Sequence, residues 1–362
     1  MDFGLSQDQL LFKETLRRYL AEQCPSARVR SIMDSESGHD PDLWHGLSEL
    51  GVPGLVLPAE FGGAGLELLD LALAGEELGY ACTPGPFLAT SLFSLALLEG
   101  AGDEQRQRWL PGVARGEVIG SVAIGEAGAV WDPRHVTTRY ESGKLTGEKT
   151  FVPYARVADA WVVLAQDDQG PALFLVEKGQ PGIEVRDLQG VDLTRRLQHV
   201  RFSGTPAEPL SGARTAAQRM IDAGCILVAA DAYGGARRCL EMSVAYAKTR
   251  EQFGQVIGAF QAVKHQLANM ACELEPALAL LWYSAHAFDH LRDQAERHAA
   301  MVKAHLTDLF DRVTRDSIEL HGGIGFTWEF DLHLWFRRAV FDRAFLGDAH
   351  YHRARAADLA GW

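Results

Sequence analysis

The pattern of hydrophobic positions divides the chain into three zones, of which the first spans residues 1–118 and reads as helical. Apolar side chains recur there at the spacing of one helix face, at Phe12, Leu16, Tyr19 and Leu20. Ser6, with Gln9 three residues later, has the pattern of a capping box. This pair predicts that the first helix begins directly after Ser6.

The second zone, residues 119–214, has the pattern of a small β domain. Its short apolar runs are Val118 to Ile124, Trp161 to Ala165, Ala172 to Val176, and Ile183 to Val185. Turn-forming residues such as Ser142-Gly143 separate these runs. Strands at this spacing predict a small antiparallel sandwich or barrel.

The third zone, residues 215–362, is helical again. A long apolar stretch runs from Ile226 to Ala247. A second helix carries one apolar stripe, formed by Val263, Leu267, Met270, Leu274, Leu278 and Leu281. Long helices joined by short breaks pack most simply as an antiparallel bundle. The predicted architecture is therefore mainly α with a β insert.

Composition narrows the range of partners. The 362-residue chain has a formal net charge of -13 at pH 7, so we expect neither nucleic acid nor an anionic membrane surface as a partner. No apolar run approaches membrane-spanning length, and the first residues lack the pattern of a signal peptide. The five cysteines are scattered without a Cys-x-x-Cys pair, which indicates free thiols and a cytoplasmic location.

Two segments of the third zone carry candidate chemistry. In the first, an alanine-rich helix ends near Arg250 and a new helix begins near Phe260. A guanidinium at such a junction can bind phosphate through two parallel hydrogen bonds, and the nearby Phe253 can lie against a flat ring. The simpler alternative is a solvated arginine that interacts with the end of a helix dipole.

The second segment, Glu319 to Glu329, has three glycines within four residues, at Gly322, Gly323 and Gly325. Such a turn leaves backbone amides open to the phosphate or ribose of a ligand. Taken alone, the turn is equally compatible with an ordinary helix end. Taken together in one helical zone, the two segments suit a dinucleotide.

With four further motifs, these segments resemble the acyl-CoA dehydrogenase family over nearly the whole chain. The further motifs are Met1 to Ser6, Leu57 to Leu66, Gly75 to Gly79, and Arg337-Arg338-Ala339. The resemblance implies an N-terminal helical domain, a middle antiparallel β domain and a C-terminal four-helix bundle, in agreement with the three zones. It also implies FAD as the cofactor, in a tetramer where each FAD lies between two subunits.

The resemblance assigns the two ends of FAD to different subunits. The middle domain of one subunit holds the flavin ring, and the C-terminal domain of its neighbour holds the pyrophosphate and adenosine. The positions of this chain that match the adenosine side are Arg250, Gln252, Phe253, Gln261, Glu319, Gly322 and Gly323. Glu319 stands where the family usually has glutamine, so it lacks the amide donor.

Both positions that the family uses for its catalytic base lack a carboxylate here. The base is a glutamate that removes the α-proton of an acyl-CoA thioester. Leu346 aligns with the commoner position and Gly224 with the second. Asp222 and Asp348 are acidic but displaced by two residues, which turns a helical side chain by about 200°. We therefore predict no catalytic residue in this chain and regard either aspartate as a less favoured base.

The second zone also departs from the family. Ala123 to Gly128 stand where family hydroxyls meet the flavin, and Phe151-Val152-Pro153 stand where the family has Trp-x-Thr. Proline has neither a hydroxyl nor an N–H to offer the ring. The losses thus fall on the flavin side and at the base, while the adenosine side is retained.

This distribution predicts a subunit of an FAD-dependent acyl-CoA dehydrogenase that supplies the adenosine side of the FAD site to a catalytic, paralogous subunit. The chain resembles the non-catalytic subunit of α2β2 enzymes of steroid catabolism, with an acyl-CoA substrate and an electron acceptor such as an electron-transfer flavoprotein. Two alternatives remain. One is a self-sufficient flavoenzyme without the glutamate, such as a flavin monooxygenase, and the other is a flavin-free binding or scaffold paralogue.

His286 and His290, four residues apart on a predicted helix, are a possible metal-binding pair. No third ligand stands out in the sequence, so we predict no metal site.

Overall fold

The N-terminal part of the computed structural model is helical, as predicted. The structure describes residues 4–128 and 131–362, so Met1 to Phe3 of the opening motif lie outside the described residues. The helices are α1 (Gln7–Gln23), α2 (Ser26–Asp34), α3 (Pro41–Glu49), α4 (Leu68–Tyr80), α5 (Phe87–Gly100) and α6 (Asp103–Ala114). The capping box is confirmed, because the Gln9 N–H donates to Ser6 Oγ (3.2 Å) and the Ser6 N–H donates to Gln9 Oε1 (2.9 Å).

The middle part is an eight-stranded sheet. Its strands are β1 (Gly120–Ala123), β2 (Arg139–Glu141), β3 (Lys144–Pro153), β4 (Ala160–Asp167), β5 (Gly170–Glu177), β6 (Ile183–Asp187), β7 (Leu197–Pro206) and β8 (Glu208–Pro209). They lie in the order β6-β7-β3-β2-β4-β5-β8, with β1 also paired to β4. Most pairs are antiparallel, as predicted, but β1 and β2 both run parallel to β4. Parallel neighbouring strands need a connection longer than a hairpin. Here the chain passes through β3 before it reaches β4.

The C-terminal part is built around one long helix. Its helices are α7 (Ala213–Thr249), α8 (Gln261–His290), α9 (Arg292–His321), α10 (Leu332–Ala344) and α11 (Ala349–Leu359). A two-stranded hairpin, β9 (Glu251–Gln252) and β10 (Gln255–Val256), joins α7 to α8. Residues 221–236 of α7 are buried without interruption, because α4, α5, α8, α9 and α10 all pack against this helix.

The predicted apolar stripe lies on α8, but only part of it is buried. Met270, Leu274 and Leu281 are in the core, whereas Val263 and Leu267, nearer the start of the helix, are half-buried. Within residues 4–128 and 131–362, no helix combines the length and hydropathy needed to cross a bilayer.

A buried cluster of charges joins the three parts. Arg338 of α10 is fully buried, and its guanidinium donates to Asp192 (2.9 Å) and to Asp231 (2.9 Å). The same group donates to the carbonyl oxygen of Thr83, just after α4 (3.1 Å). Asp192 lies between β6 and β7, and Asp231 lies on α7. The partners of Arg338 come from all three parts of the chain, and removal of one partner from a buried ion pair costs about 3–5 kcal/mol. The cluster therefore fixes the three parts relative to one another.

Candidate active site and cofactor surface

Leu346 and Gly224, the two positions predicted to lack a base, lie against each other in the core. Leu346 is fully buried, and its Cδ1 lies 2.5 Å from the place where a Cβ on Gly224 would stand. Leu92 of α5 closes the same space, with its Cδ2 at 3.3 Å from that place. Hydrocarbon therefore fills the volume beside both positions.

Two buried side chains hold the loop that carries Leu346, whose φ of 62° lies in the left-handed region. Lys303 Nζ donates to the carbonyl oxygen of Gly347 (2.8 Å), and His352 Nε2 donates to that of Leu346 (2.9 Å). Burial lowers the pKa of Lys303 to about 8 and that of His352 to about 3. The imidazole is therefore neutral near pH 7, and it serves the loop as a hydrogen-bond donor.

Asp222 and Asp348 both have structural partners. Asp222 is buried on α7 and pairs with Arg355 of α11 (2.5 Å), and burial raises the pKa of its carboxyl to about 6. Asp348 accepts the N–H of Tyr351 (2.8 Å) at the start of α11, and this hydrogen bond lowers the pKa of Asp348 below its usual value. Each carboxylate is thus already engaged by a helix end or an ion pair.

Aromatic side chains fill the region predicted to lie beside a flavin ring. The ring of Trp131 packs on that of Phe151 (centroids 5.9 Å apart) and edge-on against that of Phe345 (5.2 Å). The groove that remains beside them has a volume of about 260 Å³, below the roughly 300–1,000 Å³ typical of small-molecule sites. Pro153 is buried, and its carbonyl oxygen accepts the hydroxyl of Ser121.

The carboxylate of Glu126, in the segment that replaces the family hydroxyls, has a structural role. It accepts hydrogen bonds from the backbone and hydroxyl groups of Thr137 and Thr138. Lys149 Nζ adds a buried ion pair at 2.8 Å. Burial opposes ionisation of Glu126, but the Lys149 charge and the hydrogen bonds lower its pKa to about 2. The carboxylate of Glu126 is therefore held by hydrogen bonds and an ion pair within the middle domain.

The residues predicted to hold the adenosine side are all exposed. Arg250 caps α7, Gln252 lies in β9, Phe253 follows β9, Gln261 begins α8, Glu319 lies in the last turn of α9, and Gly322 and Gly323 form the turn after α9. Gly322 has a φ of 64°, and an added Cβ at Gly322 or Gly323 would meet nothing within 4 Å. The backbone of this turn is thus open to a ligand or a partner.

Tyr246 brings these two segments together. Its ring stacks on that of His321, the residue before Gly322, with centroids 4.3 Å apart. Arg250 follows Tyr246 by one helical turn, and its guanidinium has no ion-pair partner among the described residues. Phe253 is 92% exposed. A free arginine, an exposed ring and an open glycine turn therefore share one surface, which has the groups that a nucleotide's phosphates and base require.

Comparison with known proteins identifies the family. Models of the acyl-CoA dehydrogenase N-terminal, middle and C-terminal domains match residues 6–117, 121–204 and 211–360. The chain belongs to the acyl-CoA dehydrogenase family. The family and the three-part fold predicted from the sequence are thus confirmed.

Similar acyl-CoA dehydrogenases are known from mycobacteria. Acyl-CoA dehydrogenase IpdE2 of Mycolicibacterium smegmatis is 33% identical over 347 residues, which cover 95% of this chain and 96% of that protein. IpdE2 of Mycobacterium tuberculosis is 34% identical over 334 residues, which cover 92% and 91%. The solved structure of the ChsE4-ChsE5 complex from Mycobacterium tuberculosis is 27% identical, with a TM-score of 0.91 and coverage of 100% and 99%.

A solved structure of a Tcur3481-Tcur3483 steroid ACAD variant is 31% identical, with a TM-score of 0.92 and coverage of 98% of each chain. FAD, the predicted cofactor, is the cofactor of this family. The structure of PigA with FAD and proline, for example, is 25% identical to this chain, with a TM-score of 0.90 and coverage of 100% and 99%.

Two groups of residues near the candidate site of this acyl-CoA dehydrogenase were not predicted from the sequence. Leu92 fills the space beside the base positions, and Trp131 fills the region predicted to lie beside the flavin ring. Because α5 is buried on all sides, no periodic pattern distinguishes Leu92. Ile324, Phe326 and Trp328 are 45%, 80% and 50% exposed beside the glycine turn. Their signal was present in the sequence, because large apolar residues directly after an exposed turn indicate a surface that another molecule covers.

Proposed function

We propose that this chain is the non-catalytic subunit of a heteromeric acyl-CoA dehydrogenase. Its C-terminal domain holds the adenosine side of an FAD whose flavin ring and catalytic base belong to a paralogous subunit. The observation that carries the proposal is the contact between Leu346 and Gly224, because it leaves hydrocarbon at both base positions. The complex, rather than this chain alone, then performs the α,β-dehydrogenation of an acyl-CoA thioester.

The exposed residues of the C-terminal domain support a shared site. Arg250 binds the pyrophosphate through two hydrogen bonds, and Phe253 lies against the adenine. The Gly322-Gly323 turn lets the nucleotide approach the main chain. FAD, when bound, supplies the hydride acceptor, and the role of these residues is to hold it in place.

Relatives support the heteromeric assembly and suggest a substrate class. The ChsE4-ChsE5 structure is a complex of two proteins, and the Tcur3481-Tcur3483 structure is described as a steroid ACAD. We therefore extend the proposal to a steroid-derived acyl-CoA as the substrate. An electron-transfer flavoprotein is the proposed electron acceptor.

The first experiment measures flavin content and oligomeric state of this chain alone and after co-expression with a paralogue that carries the family glutamate. We expect little flavin in the chain alone, and about one FAD per two chains in an active complex. A yellow homotetramer of this chain with one FAD per chain would overturn the proposal in favour of a self-sufficient flavoenzyme. A stable complex without flavin would favour a scaffold.

A second experiment tests the surface directly in the co-expressed complex. We expect Arg250→Gln to weaken FAD binding at least about tenfold, because a charge-assisted hydrogen bond contributes about 1.5–3 kcal/mol. Arg18→Gln is the matched control, since Arg18 is another exposed arginine without an ion-pair partner among the described residues. Equal FAD affinity in the two variants would contradict the assignment of Arg250.

A further inference from the structure

A group of possible metal ligands lies where the end of α8 meets the start of α4. Glu67, His286 and His290 each present one ligand atom, and the three atoms lie within 4.8 Å of one another. The two imidazoles are one turn apart on α8, with ring centroids separated by 4.4 Å. The sequence offered no third ligand because Glu67 lies 223 residues from His290 and reaches the pair only through tertiary packing.

Backbone hydrogen bonds fix Glu67 relative to the histidines without using the ligand atoms. The N–H of Glu67 donates to Asp70 Oδ2 (3.1 Å), and the N–H of Leu68 donates to Asp289 Oδ2 (2.9 Å). Asp289 directly precedes His290 on α8. The second of these bonds therefore joins the N-terminal domain to the C-terminal domain at the point where the three ligand atoms converge.

We propose that Glu67, His286 and His290 bind one divalent transition-metal ion of the zinc class, which clamps α4 to α8. Two imidazole nitrogens and a carboxylate oxygen suit Zn²⁺, whereas Mg²⁺ and Ca²⁺ prefer oxygen ligands. Glu67 Oε1 and His290 Nε2 are joined by a hydrogen bond of 2.9 Å, and the metal takes the place of its proton. The side chains of Glu67 and His290 are 48% and 44% exposed, so water can complete the coordination.

The site is separate from the proposed FAD surface, so the two proposals stand or fall independently. His286 is the most informative position for a test, because its ring has no hydrogen-bond partner among the described residues. Its removal therefore breaks none of the hydrogen bonds described for the fold. His265, an exposed histidine on the same helix, provides a matched control.

The experiment titrates the purified, chelator-treated full chain with Zn²⁺ by calorimetry. We expect one Zn²⁺ per chain, with binding at least about tenfold weaker in His286→Ala and unchanged in His265→Ala. Glu67→Gln keeps a hydrogen-bonding group beside His290 but removes the charge, and we expect it to weaken binding as well. No binding by the wild type, or equal affinity in wild type and His286→Ala, would overturn the site.

Hydrogen exchange tests the clamp separately from the binding. We expect Zn²⁺ to slow exchange of the amides at the start of α4, around Leu68, in the wild type but not in Glu67→Gln. The clamp would be rejected if Zn²⁺ bound without slowing exchange around Leu68 and Glu67→Gln kept full affinity. Those results would mean that Glu67 is not a ligand.

Discussion

Leu346 and Gly224 constrain each other at the scale of single residues. An added Cβ on Gly224 would lie 2.5 Å from Leu346 Cδ1, so one of the two groups would have to move. Gly224 is inside α7, where glycine is less favourable than alanine by about 1 kcal/mol. The helix thus retains a residue that lowers its own stability because the buried leucine needs the space.

We therefore predict that Gly224→Ala destabilises the native protein but stabilises a variant in which Leu346 is replaced by alanine. In the native background we expect destabilisation by about 1–3 kcal/mol from overpacking. The Leu346→Ala background is itself destabilised by about 2–5 kcal/mol. The tightest remaining contact there is Leu92 Cδ2, 3.3 Å from the added Cβ, and it needs to shift only slightly into the space left by Leu346. We therefore expect Gly224→Ala to stabilise this background by up to about 1 kcal/mol. Denaturant unfolding of the four chains gives the coupling as a double-mutant cycle. The same sign in both backgrounds would contradict the packing described.

At the scale of elements, the loop between α10 and α11 depends on a neutral His352. Burial lowers the pKa of His352 from 6.5 to about 3, so between these values the folded chain binds fewer protons than the unfolded chain. The contribution of His352 to stability is therefore complete above about pH 6.5 and is lost as the pH falls towards 3. Asp222, whose pKa is raised from 3.8 to about 6, has the opposite pH dependence, so only a comparison with a variant isolates His352.

We expect His352→Gln to remove this pH dependence while its amide still donates to the Leu346 carbonyl oxygen. Between pH 6 and pH 4, the free energy of unfolding of the wild type should fall relative to that of the variant by about 1.4 kcal/mol per pH unit. Denaturant titrations at several pH values measure the difference. His45→Gln, at a side chain that is 74% exposed, should keep the wild-type slope. Parallel pH profiles for wild type and His352→Gln would show that the loop does not depend on a neutral imidazole.

The elements themselves could be predicted where a local pattern determines them. Helical spacing and the Ser6–Gln9 capping box predicted α1, and the long apolar stretch predicted the core of α7. The parallel pairing of β1 with β4 could not be predicted, because alternation of residues does not specify strand direction. The approach of Glu67 to His290 and the filling of the flavin region by Trp131 depend on contacts between residues far apart in the chain.

At the scale of the whole molecule, large exposed apolar residues lie on the two segments that Tyr246 and His321 join. They are Phe253, Ile324, Phe326 and Trp328. The half-buried start of the α8 stripe, Val263 and Leu267, follows the Phe253 segment in the chain. Aromatic residues on an exposed surface beside an unpaired arginine have the composition of the centre of a protein interface. This surface is therefore the one that we expect the paralogous subunit to cover.

Phe326→Ser tests that assembly, since Phe326 is 80% exposed and should contribute little to the stability of the chain alone. If Phe326 is an interface anchor, its loss weakens association with the paralogue by about 2 kcal/mol or more, roughly thirtyfold in affinity. Analytical ultracentrifugation measures the association. Trp362→Ser is the control, because Trp362 is 86% exposed but lies beside Arg297, near the start of α9.

The control is remote from the tested surface. α9 has 30 residues and so spans about 45 Å, and Phe326 follows its far end. A subunit that covers the Arg250 and Gly322 segments therefore buries Phe326 and leaves Trp362 in solvent. A loss of affinity in Phe326→Ser alone locates the paralogue on the FAD surface. Equal losses, or a loss in Trp362→Ser alone, would place the paralogue elsewhere and would separate the proposed adenosine site from the subunit interface.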